Sequence, residues 1–483
     1  MQKEVQEKEI QDEKVENNEI STTTLKKEPL DKDITYKFLL KFSFPTIMSM
    51  IFMSVFGIID GVFVSRIIDE VALSAVNLVF PFITFALAIG FMLGVGGNAI
   101  AAKLFGENKE NDARSVFTLI SVISFVTSFF MSTISILFPD FVLNILGADE
   151  HLHYLAIQYI TPLSLGLPVA VMSVIFQQFL MTEGKAHIGM LTFLIGGILN
   201  VVLNWLLIYQ LDMGLQGAAI ATMLGYSLSA IIGFLYFLFN KSGKIYFVKL
   251  KWNKKTIVDS SINGSSEFVT MMSTAIMSTF MNNIIMNVGG WQGVAAVGII
   301  FGTMQILASL FIGYVSGIMP IISFNYGKGD TYRLKKTYSI SLKIIASVSV
   351  IAVILAWIFT DSFVQIYVGP YITVYLEIAG GYMTFENEVY NLAMQGFRII
   401  TSGFIFMGFN TFGSVFFTAL NNGKISAMLS FLRTLVFVVG MLLILPEFFG
   451  IYGVFFSMIA AETLAIIVTF ITFKIQSKRY HYA

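Results

Sequence analysis

Apolar residues in this chain run on for twenty positions or more, stop at a short polar loop, and resume. Runs of that length can cross a bilayer as α-helices. The pattern predicts twelve spans, over residues 38–65, 74–102, 115–138, 153–182, 187–210, 215–240, 258–287, 294–325, 337–360, 387–419, 425–446 and 451–474. The first 36 residues differ in kind. They hold 16 of the 60 charged side chains, ten acidic and six basic, with no apolar period. This predicts a disordered tail over 1–36, without the charged and apolar regions of a cleaved signal peptide.

The loops alternate in charge. Lys103, Lys109 and Arg114 follow the second span and Lys185 the fourth, while six lysines between Lys241 and Lys255 follow the sixth. Lys328, Arg333, Lys335 and Lys336 follow the eighth, Lys424 the tenth, and Lys474, Lys478 and Arg479 the last. The other loops hold almost no Lys or Arg apart from Arg66, and the long 361–386 connection is acidic. Because basic loops stay in the cytoplasm, both termini are expected there.

The chain also repeats itself. Residues 74–115 align without a gap on 295–336, an offset of 221, so that Gly96 meets Gly317 and Gly106 meets Gly327. Residues 178–191 align on 417–430, Gly184-Lys185 on Gly423-Lys424, and "GLQGA" at Gly214 on "GIYGV" at Gly450. Six spans per repeat give both halves the same orientation, related by a pseudo-two-fold along the membrane normal, as in transporters built from parallel repeats. The predicted fold is therefore an all-α polytopic membrane protein of twelve transmembrane helices in two pseudo-symmetric six-helix lobes. The N-lobe covers 37–240, a cytoplasmic linker 241–257, the C-lobe 258–476, and a cytoplasmic C-terminus 477–483. In this design a substrate site lies between the lobes and access alternates as they rock.

Charged side chains within spans are costly and usually functional. The candidates are Asp60, Glu267, Arg398, Arg433 and Glu462. Glu267 and Arg433 fall near the cytoplasmic ends, where snorkelling to the interface is an option. Asp60, in "VFGIIDGVFVSR", lies six residues before Arg66, roughly 9 Å below the outer surface at the rise of an α-helix. Asn200 and Asn204, four apart on one helical face, reach a similar depth, and Thr222 sits about seven residues in from the outer end of the sixth span. One carboxylate, two amides and a hydroxyl thus form an expected ion-coupling layer in the first lobe. Oxygen ligands suit a hard cation such as Na⁺, and a desolvated carboxylate can instead carry H⁺. The alternative role for the amides and the hydroxyl is plain hydrogen bonding between helices.

Composition removes other classes. At 56% hydrophobic residues and a mean hydropathy of +0.78, a soluble domain architecture is excluded. The chain has no cysteine, so disulfides and thiol chemistry are absent. Among the four histidines, His151 and His153 form a loop pair, more plausibly bland than metal-binding. No His/Asp/Glu cluster or phosphate loop suggests an enzyme, no cofactor is expected, and no nucleic-acid partner is expected. The "NGS" at Asn263 matches a glycosylation acceptor but lies on the predicted cytoplasmic side.

Several stretches carry a family resemblance: "FPTIMSMIFMSVFGIIDGVFVSR", "GVGGNAIAAKLFGENKENDARS", "MTEGKAH", "GLQGAAIATMLGY", "GIMPIISFNYGKGD" and "FTALNNGK". In order and spacing, over residues 38–475, the chain resembles the multidrug and toxic compound extrusion (MATE) family, in its bacterial multidrug-resistance branch. The resemblance implies two six-helix lobes forming a V and drug efflux driven by inward flow of H⁺ or Na⁺. It also implies a bacterial cytoplasmic (inner) membrane location and gives Asp60 the place of the coupling carboxylate. Asn200, Asn204 and Thr222 keep the family spacing, but Asn204-Trp205 stands where relatives have Asp-Pro, leaving Asp60 as the sole acid. Relatives with a second-lobe ion site use acids on helices seven and ten, which Glu267 does not match. Met181-Thr182-Glu183 replaces the familiar arginine before the fourth-to-fifth loop glycine.

The expectation is a secondary active antiporter, acting as a monomer in the lipid bilayer, that exports amphipathic, often cationic drugs. Met53, Phe56, Ser173, Gln177 and Tyr226 are the expected cleft residues, since thioethers and aromatic faces accept varied organic cations. The competing reading is a lipid-linked oligosaccharide flippase of related architecture, whose pyrophosphate substrate calls for several cleft-facing basic residues. Only Arg398 and Arg433 are available for that role.

Overall fold

The computed structural model describes residues 29–68, 70–148, 150–368, 375–378, 381–384 and 388–483. Eleven of the described helices are long and apolar enough to cross a membrane, and a pair bent by 48° makes a twelfth span. In the first lobe these are α1 (Tyr36–Phe63), α2 (Glu70–Gly106), α3 (Glu110–Leu137), α5 (Glu150–Thr182), α6 (Ala186–Asn204) and α7 (Gly214–Phe239), with the short α4 (Pro139–Leu146) between α3 and α5. In the second, α8 (Lys254–Asn263) leads into α9 (Ser265–Lys328), which kinks at Gly290 and so supplies two spans. Then come α10 (Thr331–Ile358), the short α11 (Thr360–Val368), α12 (Glu388–Ser402) with α13 (Phe404–Ala419) as the bent pair, α14 (Gly423–Phe431), α15 (Val438–Phe449) and α16 (Ile451–Tyr480). One addition to the all-helical expectation is an antiparallel hairpin, β1 (Tyr375–Ile378) and β2 (Gly381–Thr384), in the long loop between α11 and α12. Part of that loop lies outside the described residues.

The repeat is visible in the backbone. Gly214 and Gly450, aligned in sequence, both open a helix with positive φ, +55° and +56°. Asn108 and Gly329, 221 positions apart, both take left-handed conformations after the equivalent helices α2 and α9. The lobes also meet through equivalent contacts. A Cβ on Gly106 would stand 2.1 Å from the Phe324 carbonyl oxygen, and one on Gly327 would stand 2.0 Å from that of Lys103. Each glycine lets one helix backbone lie against the other, and each pair is the offset image of its counterpart. Gly96 against Ser260 and Gly264, and Gly317 against Ser43, form a second such pair.

These contacts lie toward the lysine-rich end. There one continuous apolar core draws on both lobes, from Leu93 and Phe117 to Val315 and Phe416. At the opposite end the lobes keep largely separate cores, one around Tyr159, Leu163 and Leu215 and one around Phe397, Leu442 and Phe455. The molecule is thus a V closed at the lysine-rich end. Ser54 and Ser309, 2.6 Å apart, and the Phe85 and Phe268 rings, 5.8 Å apart, bridge the lobes at the floor of the cleft.

The expected tail needs a correction. Residues 1–28 lie outside the described residues, but 29–36 are ordered by packing rather than by any apolar period of their own. A 3₁₀ turn at Pro29–Asp31 buries Leu30 and Ile34, and Asp31 pairs with Lys328 and Arg333. At the other terminus α16 runs through Tyr480, and Tyr482 inserts its ring among Tyr338, Phe416 and Phe473. The C-terminal residues 477–483 are therefore packed against the C-lobe through Tyr480 and Tyr482.

Candidate functional site

Three glycines bring α1, α6 and α7 together. Gly196 and Gly225 let the α6 and α7 backbones pack together, since a Cβ on either would stand 2.5 or 2.9 Å from the other's carbonyl oxygen, and Gly197 leaves room for the Phe56 ring. One turn beyond this crossing stand Asn200, Asn204 and Thr222, all aimed at Asp60. Asn204 Nδ2 donates to Asp60 Oδ1 at 2.7 Å, Asn200 Nδ2 reaches the same oxygen at 3.4 Å, and Thr222 Oγ1 lies 3.4 and 3.5 Å from the two carboxylate oxygens. The amides are linked in turn, Asn204 Nδ2 to Asn200 Oδ1 at 3.3 Å. All four residues of the expected layer therefore meet in one cluster. Among the described side chains, no basic one touches it. Asn204 Oδ1 is buried with no donor beside it, which leaves an acceptor next to the carboxylate for a proton or cation. The backbone is unusual here as well: directly after Asn204 the helix widens into a π-helical stretch, Trp205–Gln210, and another, Val64–Ile68, follows α1. π-Helical turns of this kind are frequent at functional sites.

The cluster opens onto a cavity of about 110 Å³ within the N-lobe, lined by Met53, Phe56, Asp60, Asn200, Thr222 and Tyr226 among others. Three of the five expected cleft residues are thus wall residues. Ser173 and Gln177 are not in the wall. Both sit on the face of α5 turned into the lobe core, 1% and 5% exposed, and the Ser173 hydroxyl donates to Ala170 of its own helix at 2.7 Å.

The second lobe holds a network that sequence reasoning missed. Arg433 pairs with Glu462 at 2.9 Å and donates to Thr411 at 2.9 Å, while Asn410 donates to Glu462 at 2.6 Å and accepts from Thr469. Arg433 is therefore no interface-seeking residue, because a carboxylate on the next helix satisfies it within the lobe. Opposite charges on consecutive apolar spans were the available signal. Arg433 is thus paired within the lobe, and Arg398 is exposed, its carbonyl accepting from Trp357 Nε1 at 3.2 Å. Glu267 keeps its expected place near the start of the seventh span, in the first turn of the Ser265–Gly290 segment. The preceding α8 is polar and largely exposed, with Ser260 and Asn263 its buried residues.

Other candidates resolve plainly. His153 pairs with Asp140 at 2.8 Å, the His151 side chain lies outside the described residues, and no metal-binding cluster of His, Asp and Glu occurs among the described residues. Asn263 is buried and donates to the Thr418 carbonyl at 3.0 Å, so it offers no glycan acceptor. Glu183 closes on the inter-lobe linker, accepting the backbone N–H groups of Lys244 and Ile245 at 3.0 and 2.8 Å.

Comparison with known proteins gives one family. The MatE family model matches residues 45–206 and 268–443. The multidrug export protein MepA of Staphylococcus aureus (strain MRSA252) is 23% identical over 437 residues, 90% of this chain and 92% of that protein. MepA of Staphylococcus haemolyticus (strain JCSC1435) is 23% identical over 447 residues, 92% and 94% of the two chains. Among solved structures, a MATE protein in complex with MaL6 superposes with a TM-score of 0.87 at 22% identity, covering 95% of this chain and all of that one. An outward-facing multidrug resistance MATE transporter of the MOP superfamily gives 0.86 at 22% identity, with the same coverage.

Proposed function

Because this chain belongs to the MatE family of membrane transporters, we propose that it is a multidrug efflux antiporter, exporting amphipathic, often cationic compounds in exchange for H⁺ or Na⁺. The observation that carries this reading is Asp60. Among the described residues it is a carboxylate with three neutral polar partners and no basic one, in the wall of an aromatic- and methionine-lined cavity. A fixed charge kept inside a membrane protein at that cost, with an orphaned acceptor beside it, fits a group whose charge is compensated transiently.

In the cycle we envisage, the lobes rock about the glycine seam and expose the cleft alternately to the lysine-rich cytoplasmic side and to the outside. Drug enters from the cytoplasm or inner leaflet and is carried to the outward-open state. There Asp60 takes H⁺, or with Asn204 Oδ1, Asn200 Oδ1 and Thr222 Oγ1 takes Na⁺. Neutralising the carboxylate loosens its hold on the Asn204 and Asn200 donors, which lets α1 shift against α6 and α7. The cavity wall at Met53 and Phe56 belongs to α1, so the same shift expels bound drug. The ion drives the step only through its different affinity for the two states.

The test is transport in proteoliposomes with ΔpH and a Na⁺ gradient imposed separately. The wild type is expected to move drug uphill under one of them. Asp60→Asn is expected to insert normally and lose at least nine-tenths of gradient-driven efflux. Full efflux by that variant would remove Asp60 from the mechanism.

A further inference from the structure

The helix α8 is built inside out. Asn253 caps its start by accepting the Thr256 N–H at 3.3 Å. Within the helix, the polar Ser260 and Asn263 are 0% and 3% exposed, whereas Val258 and Ile262 are 44% and 40% exposed. A helix docked on a globular protein in water shows the reverse arrangement, with its apolar stripe inward. Packing on both lobes fixes the inward face. A Cβ on Gly96 of α2 would stand 2.0 Å from the Ser260 carbonyl oxygen, and one on Gly423 of α14 would stand 2.0 Å from that of Ile262. Asn263 Nδ2 also donates to Asn421 Oδ1 at 3.2 Å. The helix is thus held with Val258 and Ile262 facing out, and only Gly264 separates it from α9, which crosses the membrane.

The outward face continues into the linker. Leu250 and Trp252 are exposed there, Trp252 by 69%, and Lys249, Lys251, Lys254 and Lys255 are exposed among them. Lys254, Lys255, Val258 and Ile262 share one side of the helix. Asp259 is the single acid between Lys249 and Asn263. Outward apolar side chains with a row of lysines beside them complement a layer of negative charge that has hydrocarbon behind it.

We infer that the outer face of α8 and the adjoining linker is a binding surface for anionic phospholipid in the leaflet at the lysine-rich end. Trp252, Val258 and Ile262 enter the boundary between headgroups and acyl chains, where an indole is well placed. The lysines reach the phosphates on stems that stay against apolar surface. Negative surface potential draws a basic segment of this kind to the leaflet, so the four lysines select anionic over zwitterionic lipid. Because α8 touches α2 of the first lobe and α14 of the second, lipid held on its outer face acts where the two lobes meet. The inference is independent of the drug-efflux reading and needs only that the chain lies in a bilayer.

The experiment reads lipid contact at Trp252. The chain has four tryptophans, so Trp205→Phe, Trp291→Phe and Trp357→Phe together leave Trp252 as its one indole. This full-length variant is reconstituted in phosphatidylcholine bilayers that carry an equal minor fraction of either phosphatidylglycerol or phosphatidylcholine with brominated acyl chains. Bromine quenches an indole only at close contact. Quenching by brominated phosphatidylglycerol is expected to exceed that by brominated phosphatidylcholine at least twofold. Adding Lys249→Gln, Lys251→Gln, Lys254→Gln and Lys255→Gln is expected to make the two lipids quench alike. Trp252→Phe in the otherwise native chain gives the same reading by difference, without the other three replacements. Quenching by neither lipid overturns the inference, since the face would then meet water, a protein partner or a second copy. Equal quenching by both lipids in the four-lysine chain overturns it, as does a preference for phosphatidylglycerol that survives the four glutamines.

Discussion

Glu183 shows how a single side chain can tie the linker to a lobe. It is 6% exposed and accepts two consecutive backbone N–H groups from the segment that leads to the second lobe. Burial pushes its carboxyl above the ordinary range, opposed by the two backbone donors and by the charges of Lys244 and Lys185. A carboxyl raised in the folded state favours the fold below its unfolded value, near 4.5, and loses that contribution as pH rises through the folded value. Glu183→Gln keeps an acceptor but cannot ionise. Its thermal stability is therefore expected to gain on the wild type as pH goes from 4.5 to 8. Glu183→Ala leaves two buried donors without an acceptor, a loss of about 2 kcal/mol, and is expected to melt earlier at every pH. Melting curves of the purified protein at several pH values check both, and a pH-independent gap between wild type and Gln would sink the titration argument.

At the scale of elements, the glycine seam decides how closely the lobes can close. Replacing Gly106 by alanine would help α2 intrinsically, because glycine is a poor helix residue by about 1 kcal/mol. The new Cβ would instead collide with the Phe324 carbonyl and the Lys328 N–H, backbone atoms that cannot rotate away. Gly106→Ala is thus expected to wedge the lysine-rich end open. The chain has no cysteine, so Thr46→Cys, buried where α1 meets Gly313, gives a clean reporter. Maleimide labelling there should quicken at least threefold in the alanine variant, and an unchanged rate would show that the seam tolerates the methyl. Such glycines were legible in the sequence because both copies of the repeat keep them at one offset, and so were the spans, from uninterrupted apolar runs. Asp60, Asn200, Asn204 and Thr222 were legible too, since depth can be counted from loop ends in a straight helix. Residues 29–36 were not legible, because they pack on the other lobe, a contact no local pattern announces. Ser173 and Gln177 had the right chemistry but the wrong face of α5, which depends on how the helix is rotated in the lobe.

At the scale of the whole molecule, the N-terminal segment acts as a strap over the closed end. Leu30 and Ile34 are buried in the core shared by both lobes, and Asp31 of the first lobe's entry pairs with Lys328 and Arg333 of the second. Partly exposed pairs of this kind contribute little individually, about 0–1 kcal/mol, so the strap biases the conformational balance rather than locking it. Although its partial burial acts upward, the two basic partners hold the Asp31 carboxyl below the ordinary value of 3.8. A depressed carboxyl stabilises the contact above that value and loses it only as pH falls further. The strap is consequently insensitive between pH 5 and 8, and pH effects on transport in that window must arise elsewhere, with Asp60 the first candidate. Asp31→Asn is expected to raise the population open at the lysine-rich end a few-fold, read by faster Thr46→Cys labelling. The pH profile of efflux should keep its midpoint while its amplitude changes. A displaced midpoint would mean that the strap itself titrates with transport, and that the closed end, rather than the cluster in the N-lobe, sets the pH response.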